Sequence, residues 1–543
     1  MNRAMPIGND QFIEIRNRGL FYIDKTLMIR DFVKFQNMVT LITRPRRFGK
    51  TVNMTMMKEF FDITKDSRGI FEGLKIMDTE YSAMLNSSPV IFFSFKDCSG
   101  SNEDELRVAM IYELLNEYAR YYDLLKDKLD MSDMLSERFV NTFKSMKQTE
   151  IGFDQLCFAV KDLIQVVYKY WKIPVILLID EYDQPIMSSY ENGYRLKLRN
   201  FFEVFFGSAL KGCTGLDKAL LTGVQRVVKE SIFSKLNNVS VYTVNDKRYS
   251  EYFGLTVAET EELLKYCNLS LNDEVKSRYD GYRFAGTEIY NPFSVSKYAD
   301  TGKLKDYWIN TSTNTLVNNA LRSADRFFME QFEKLVAGGS AEVGINLETS
   351  FIELEAEDTL WGLLVNSGYL TIIEDYGDDL VKVAVPNGEV RSEFRKIVAN
   401  YVRISDTDLK MMFRYLTDKR FEEFKRIYQK LVITCTSNFD AKENAYHMLF
   451  LGMCVTLQGV YEIQSNIESG LGRSDITLKA KYADLPNVVI EFKQGSNIEK
   501  LKQEALQQIH NKQYYTGLTG EILCVGIAHN KKECALGYEI IYK

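Results

Sequence analysis

The sequence predicts a modular α/β protein, with a large N-terminal domain built on a parallel sheet and a smaller α/β domain at the C-terminal end. Three observations predict it. Apolar runs at Val39 to Thr43, Val90 to Phe95, Val175 to Ile179 and Ala219 to Thr222 are separated by helix-length text, the alternation of a parallel sheet covered on both faces. The pattern returns on a smaller scale near the end, as a helix at Ala441 to Leu457, strands at Ser474 to Leu478 and Val488 to Lys493, a helix at Glu499 to Tyr515 and a strand at Ile522 to Ile527. A chain of 543 residues also exceeds what one core organises, so roughly two to four units are expected.

Composition narrows the function classes. With 45% hydrophobic and 26% charged residues and only 8 prolines, every part is expected to fold. The 68 Lys+Arg against 74 Asp+Glu leave a net charge of −6, so contact with nucleic acid has to come from a local patch. The 8 cysteines form no CxxC pair and only three histidines accompany them, which argues against a zinc site or disulfide framework and fits a reducing compartment. The start, MNRAMPIGNDQFIEIRNRG, lacks the apolar core of a signal peptide, and no apolar run reaches membrane-spanning length. A cytoplasmic chain without a membrane partner is expected.

The elements follow in order. Residues 1–250 carry the parallel-sheet core. Residues 251–350 read as a helical lid and connector, from EYFGLTVAETEELLKYC onward. Over 351–390 a helix near Trp361 leads into GYLTIIEDYGDDLVKVAVPNGEV, two alternating strands about a Gly-Asp-Asp turn, a winged-helix-like segment. Residues 391–435 read as a charged helical linker and 436–543 as the second α/β domain.

RPRRFGKT, Arg44 to Thr51, lies between a strand and a helix, where a loop that cradles phosphates has to be. Its candidate contacts are Arg46, Arg47, Phe48 and Gly49, with Lys50 reaching the β- and γ-phosphates of ATP and the Thr51 hydroxyl ligating Mg²⁺. The common pattern GxxxxGK[ST] has glycine where this chain has Arg44, and the bland alternative is a helix N-terminus with basic residues. VILLIDEYD supplies a second element. A buried strand ends in Asp180 and Glu181, of which the first can hold the Mg²⁺ shell and the second polarise the attacking water; the alternative is a strand followed by capping acids.

The stretches YIDKT, TRPRRFGKT, LIDEYDQPI, LTGVQRV, SIFSKLNN, YDGYRF and YNPFS resemble the AAA-ATPase-like family of prokaryotic proteins, over roughly residues 5 to 300. In that family arginine replaces the first loop glycine. The resemblance implies an ATPase in which Thr222 senses the γ-phosphate and Arg226 serves as a sensor or arginine finger; a finger acting between subunits would require a ring or a dimer. The alternative for Arg226 is a surface ion pair.

In the C-terminal segment Asp475 lies on one strand and Glu491 and Lys493 near the end of the next. Strand periodicity puts Glu491 and Lys493 on one face and Phe492 in the core on the other, and a hairpin across KAKYADLPN brings Asp475 alongside. Two carboxylates beside a lysine are the minimum kit for hydrolysing a phosphodiester with Mg²⁺; the alternative is a solvated strand face. With QSNIESGLGRSDI these residues resemble the PD-(D/E)xK nuclease superfamily, over about 436 to 543. That resemblance implies a further carboxylate from Glu443, and support of the site or of a DNA backbone by Gln508 and Tyr514. Glu443 and His447 share a helix face, which a cap or a core pair would also explain. The expected protein is an ATP-regulated nuclease acting on nucleic acid, DNA ahead of RNA. Its rival is an ATP-driven switch whose nuclease fold only binds DNA or a partner.

Overall fold

The computed structural model describes residues 4–226, 237–308, 328, 331–332, 334–335, 338–347, 357–393, 406–435, 443–454, 457 and 459–543. The chain divides into two compact units, the first comprising 1–323 and 342–389 and the second 324–341 and 390–543.

The first unit is centred on a five-stranded, wholly parallel sheet. Its strands are β1 (Val39–Thr43), β2 (Val90–Ser94), β3 (Val175–Asp180), β4 (Leu216–Gly223) and β5 (Val239–Tyr242), in the order β2-β3-β4-β1-β5. β1 and β3 are buried along their whole length, as their mainly apolar text requires when both faces are covered. Helices such as Glu103–Leu125, Ala159–Trp171 and Arg195–Leu210 pack Leu114, Leu163 and Phe206 into one core with Leu177 and Leu221. Each such side chain contributes about 1.5–3 kcal/mol by leaving water.

The stretch 251–350, expected to be helical, also contains strands. β6 (Leu255–Thr256), β7 (Tyr282–Phe284) and β8 (Thr287–Tyr290) form a small antiparallel sheet, from strands too short to show a period in the sequence. β9 (Ser340–Gly344) is followed by the helix Glu357–Asn366 and by the hairpin β10 (Thr371–Gly377) and β11 (Leu380–Ala384), the three strands forming one sheet. The hairpin turns at Asp378 and Asp379, both left-handed.

The second unit holds the mixed sheet β12 (Tyr461–Ser469), β13 (Gly472–Ala480), β14 (Asn487–Gln494), β15 (Glu521–Asn530) and β16 (Glu533–Tyr542), in sequence order, with β14 and β15 parallel and the other pairs antiparallel. The helix Ile498–Lys512 covers one face, packing Leu506 and Ile509 against Val489. Helices Asp406–Thr417 and Phe421–Cys435 fall in the stretch expected as a linker. They instead bury Phe413, Phe424 and Tyr428 in one core with Phe450, Phe492 and Val525, because their charge lies on one side only. Among the described residues the cysteines are free thiols, and no helix is long and apolar enough to cross a membrane.

Candidate active sites

The loop after β1 enters the helix Lys50–Phe61 through Arg47 (φ 71°) and Gly49 (φ 84°). Only glycine adopts the second conformation without steric cost. The turn brings Gly49, Lys50, Thr51 and Val52, at a helix start where N–H groups have no intrahelical acceptor, to line a cavity of about 530 Å³, within the range that small-molecule ligands occupy. Arg46, Arg47, Lys50, Thr51, Lys96 and Glu181 line its polar part, while Ile7, Phe21, Ile23, Leu255, Leu263 and Pro292 line an apolar part. The Lys50 ammonium donates to the carbonyls of Arg44 (3.1 Å) and Pro45 (3.2 Å) and lies 3.5 Å from the Glu181 carboxylate. It therefore points along the loop.

The strand order brings the remaining groups to this spot. β4 runs between β1 and β3, and its register sets Thr222 beside Ile42 and Leu221 beside Ile179, so the carboxyl ends of the three strands are level. Ligands of open parallel sheets bind at such ends. Asp180 accepts the Thr51 hydroxyl on Oδ2 (2.7 Å) and the Thr222 hydroxyl on Oδ1 (2.6 Å). Burial first, and the neighbouring Glu181 charge second, push the Asp180 carboxyl up to about 6. Glu181 itself is held in the left-handed region (φ 53°), a conformation non-glycine residues adopt at a cost.

Asp183, three residues on, was not singled out by the sequence. Its Oδ2 accepts the backbone N–H groups of Val224 (2.9 Å) and Gln225 (2.7 Å), and burial raises this carboxyl to about 6 as well. Asp183 thus fixes the chain where it leaves β4. The third acid of DEYD, one helical turn after Asp180, was the available signal. Arg226 follows directly and is partly buried. Residues 227–236, which include most of SIFSKLNN, lie outside the described residues.

Arg44 and Phe48 turn away from the phosphate side. The Arg44 guanidinium is fully buried, donates to the carbonyls of Thr43 (2.7 Å) and Tyr242 (3.1 Å), and lies over the rings of Phe253 and Phe284; burial pulls its pKa down to about 9. Phe48 borders the cavity but packs its ring against Tyr282 and Phe284.

In the second unit β13 pairs with β14 as far as Ile476 and Ile490, and continuing that register sets Asp475 opposite Glu491. There the side chain takes over from the backbone, for Asp475 Oδ2 accepts the N–H of Phe492 at 2.7 Å. Alternation holds, with Phe492 in the core against Phe450 and Glu491 and Lys493 on the opposite face. Glu491 Oε1 accepts from Lys493 Nζ (3.3 Å) and from Gln508 Nε2, which also donates to the Tyr514 hydroxyl (3.1 Å). Glu491 Oε2 is buried without a hydrogen-bond partner among the described residues. Burial and then the charge of Asp475 push the Glu491 carboxyl up to about 7, and burial raises Asp475 too.

His447 stacks on Phe492 with its ring 5.9 Å away, and burial lowers its pKa to about 4, so it is a neutral core histidine. The side chain of Glu443, expected to add a carboxylate, lies outside the described residues. Among the described residues no group of three or more His, Cys, Asp or Glu side chains is disposed to hold a metal. The fit to a divalent cation rests on Asp475, Glu491 and the unpartnered buried oxygen, which are hard oxygen donors of the kind Mg²⁺ takes.

Comparison with known proteins gives two separate matches. Residues 6–233 match the family described as "Predicted AAA-ATPase", and residues 441–539 match the PD-(D/E)XK nuclease superfamily. An uncharacterized protein in the vnfD 5' region of Azotobacter chroococcum mcd 1 is 26% identical over 405 residues, which cover 73% of this chain and 69% of that protein.

Proposed function

With an AAA-ATPase-like domain and a PD-(D/E)XK nuclease-superfamily domain in one chain, we propose that it is an ATP-binding and ATP-hydrolysing protein whose second unit cleaves nucleic acid phosphodiesters, DNA ahead of RNA, under control of the nucleotide. The observation that carries the reading is the cluster of Asp475, Glu491 and Lys493, with one buried Glu491 oxygen left unpartnered among the described residues. A buried acceptor without a partner costs about 1–3 kcal/mol, and a cation held by Asp475 and Glu491 relieves that cost.

A divalent cation held there supplies polarisation of the phosphate and acidification of water. Lys493, fixed by Glu491, offsets the charge that develops on the phosphate. Gln508 and Tyr514 hold Glu491 in its rotamer. In the first unit Lys50 and the helix N-terminus hold the β- and γ-phosphates, Thr51 and Asp180 hold Mg²⁺, and Glu181 orients the attacking water. Thr222 keeps Asp180 in place from β4, and Arg226 answers the γ-phosphate charge. The protein acts in the cytoplasm.

The test is cleavage of labelled single- and double-stranded DNA and RNA by the full chain in Mg²⁺, with and without ATP. We expect metal-dependent cleavage whose rate changes with ATP. Cleavage that persists in EDTA, or none under any condition, overturns the nuclease assignment and favours a chain that only binds.

A further inference from the structure

The phosphate loop is braced from outside the parallel sheet. The Arg46 carbonyl accepts the indole Nε1–H of Trp308 at 3.0 Å. Trp308 is buried, with its ring 5.7 Å from that of Tyr369. On the same side Pro45 lies against Gly368, where an added Cβ would stand 2.9 Å from the proline ring. The loop cannot shift without pressing on these residues.

Behind Trp308 lies a carboxylate that the proposed chemistry does not use. Glu389 is fully buried and accepts the backbone N–H groups of Tyr307 (2.6 Å) and Trp308 (2.9 Å) as well as the Ser294 hydroxyl (2.8 Å). Ser294 belongs to the helix Pro292–Thr301, and the neighbouring Phe293 ring lies 4.5 Å from the Arg47 guanidinium carbon. Two routes therefore join the loop to one carboxylate, from Arg46 through Trp308 and from Arg47 through Phe293 and Ser294. Glu389 is the last residue of the first unit, and Val390 begins the longer of the two stretches that make up the second.

We propose that Trp308 and Glu389 are positioning residues that transmit the nucleotide state of the phosphate loop to the chain junction at Glu389–Val390. The warrant is physical continuity. Phosphate draws Arg46 and Arg47 inward, which loads the Trp308 indole and the Phe293 stack together. A buried carboxyl group with several donors rearranges as a unit, because losing one donor leaves a buried polar group unsatisfied. A contiguous hydrogen-bond chain of this kind couples sites when a ligand favours one of its arrangements. The inference rests on the ATP-binding part of the function proposed above and not on its nuclease part.

Hydrogen exchange of the full chain, with and without ATP and Mg²⁺, tests it. In the parent, ATP should slow exchange across residues 44–52 and change it severalfold in peptides covering 303–308 and 385–393. Trp308→Phe keeps the ring but loses the indole donor; it should retain protection of the loop and lose the response at 385–393. A merely structural role predicts a lower melting temperature with both responses kept or both lost. Should the phenylalanine variant not fold, Glu389→Gln, which keeps an acceptor and loses the charge, is read in the same way. A parent that binds ATP without any change at 385–393, or a Trp308→Phe protein that responds like the parent, overturns the relay alone. Absence of ATP binding, seen directly in a titration, removes the reading beneath it.

Discussion

The two sites contain the same kinds of group, a pair of acids and a lysine at strand ends, yet they are put together in opposite ways. The first gathers Lys50 and Thr51, Asp180 and Glu181, and Thr222 from three strands that long crossovers keep far apart in sequence. The second is drawn from residues 475–514, on two neighbouring strands, the next helix and the turn after it. Asp180 and Glu491 also differ in saturation. Both oxygens of Asp180 accept a hydroxyl, whereas Glu491 keeps a buried oxygen with no partner among the described residues. Hydrogen-bond accounting thus separates an acid with both oxygens engaged from one with an oxygen left over, where residue types alone do not.

If the contrast is right, each site should fail alone. The largest effect is expected from Glu181→Gln, which should slow ATP hydrolysis by about 10²–10⁴-fold while ATP still binds; turnover at the parental rate would assign the base elsewhere. Asp475→Ala and Lys493→Ala should each lower Mg²⁺-dependent cleavage by about 10²–10³-fold with unchanged ATP affinity. Groups that act as a unit lose function non-additively, so the double variant should be hardly worse than either single one. Multiplying losses would show two independent contributions.

Lys50→Ala removes hydrogen bonds to charged phosphate worth about 1.5–3 kcal/mol, so ATP should bind roughly 10–100-fold more weakly. Calorimetric titration decides this, and parental affinity would refute the phosphate-loop assignment. The smallest effect concerns Glu389, whose carboxyl burial pushes up to about 7. From about pH 4.5 to 7 the folded protein holds a proton there that the unfolded chain has released. Its stabilising contribution is therefore full at low pH and is lost as pH rises toward 7, at up to about 1.4 kcal/mol per pH unit. Glu389→Gln should remove that slope from thermal denaturation curves, and an unchanged slope would place the titration elsewhere.

How much of this was legible in the sequence follows from what each signal depends on. β1, β3 and the loop into Lys50 were readable because a strand buried on both faces is apolar throughout. Glu491 and Lys493 were readable because a period of two needs no partner strand. β5, β12 and β16 were not read as strands; all three are sheet edges, where half the positions meet solvent and polar residues dilute the pattern, as in YEIQSNIES. Resemblance points to Thr222 only as a γ-phosphate sensor; its place between loop and acid is not legible, since only strand order, which no local pattern carries, puts β4 between β1 and β3. Asp183 went unassigned because its partners are backbone N–H groups, which every sequence has and none displays.

The buried Arg44 has a consequence for anyone tempted to repair the motif. Glycine at position 44 would complete the usual phosphate-loop spelling. In this fold it would open no further room for phosphate, because the guanidinium fills a chamber behind the loop, roofed by Phe253 and Phe284. Removing it would leave a hole and strip the Thr43 and Tyr242 carbonyls of their donor, a loss of several kcal/mol by the usual cost of cavities and orphaned acceptors, about 2–5 and 1–3 kcal/mol. The departure from the pattern is a keystone under the loop, and a search that scores such loops by their glycines alone would discard the chain for the residue that supports it.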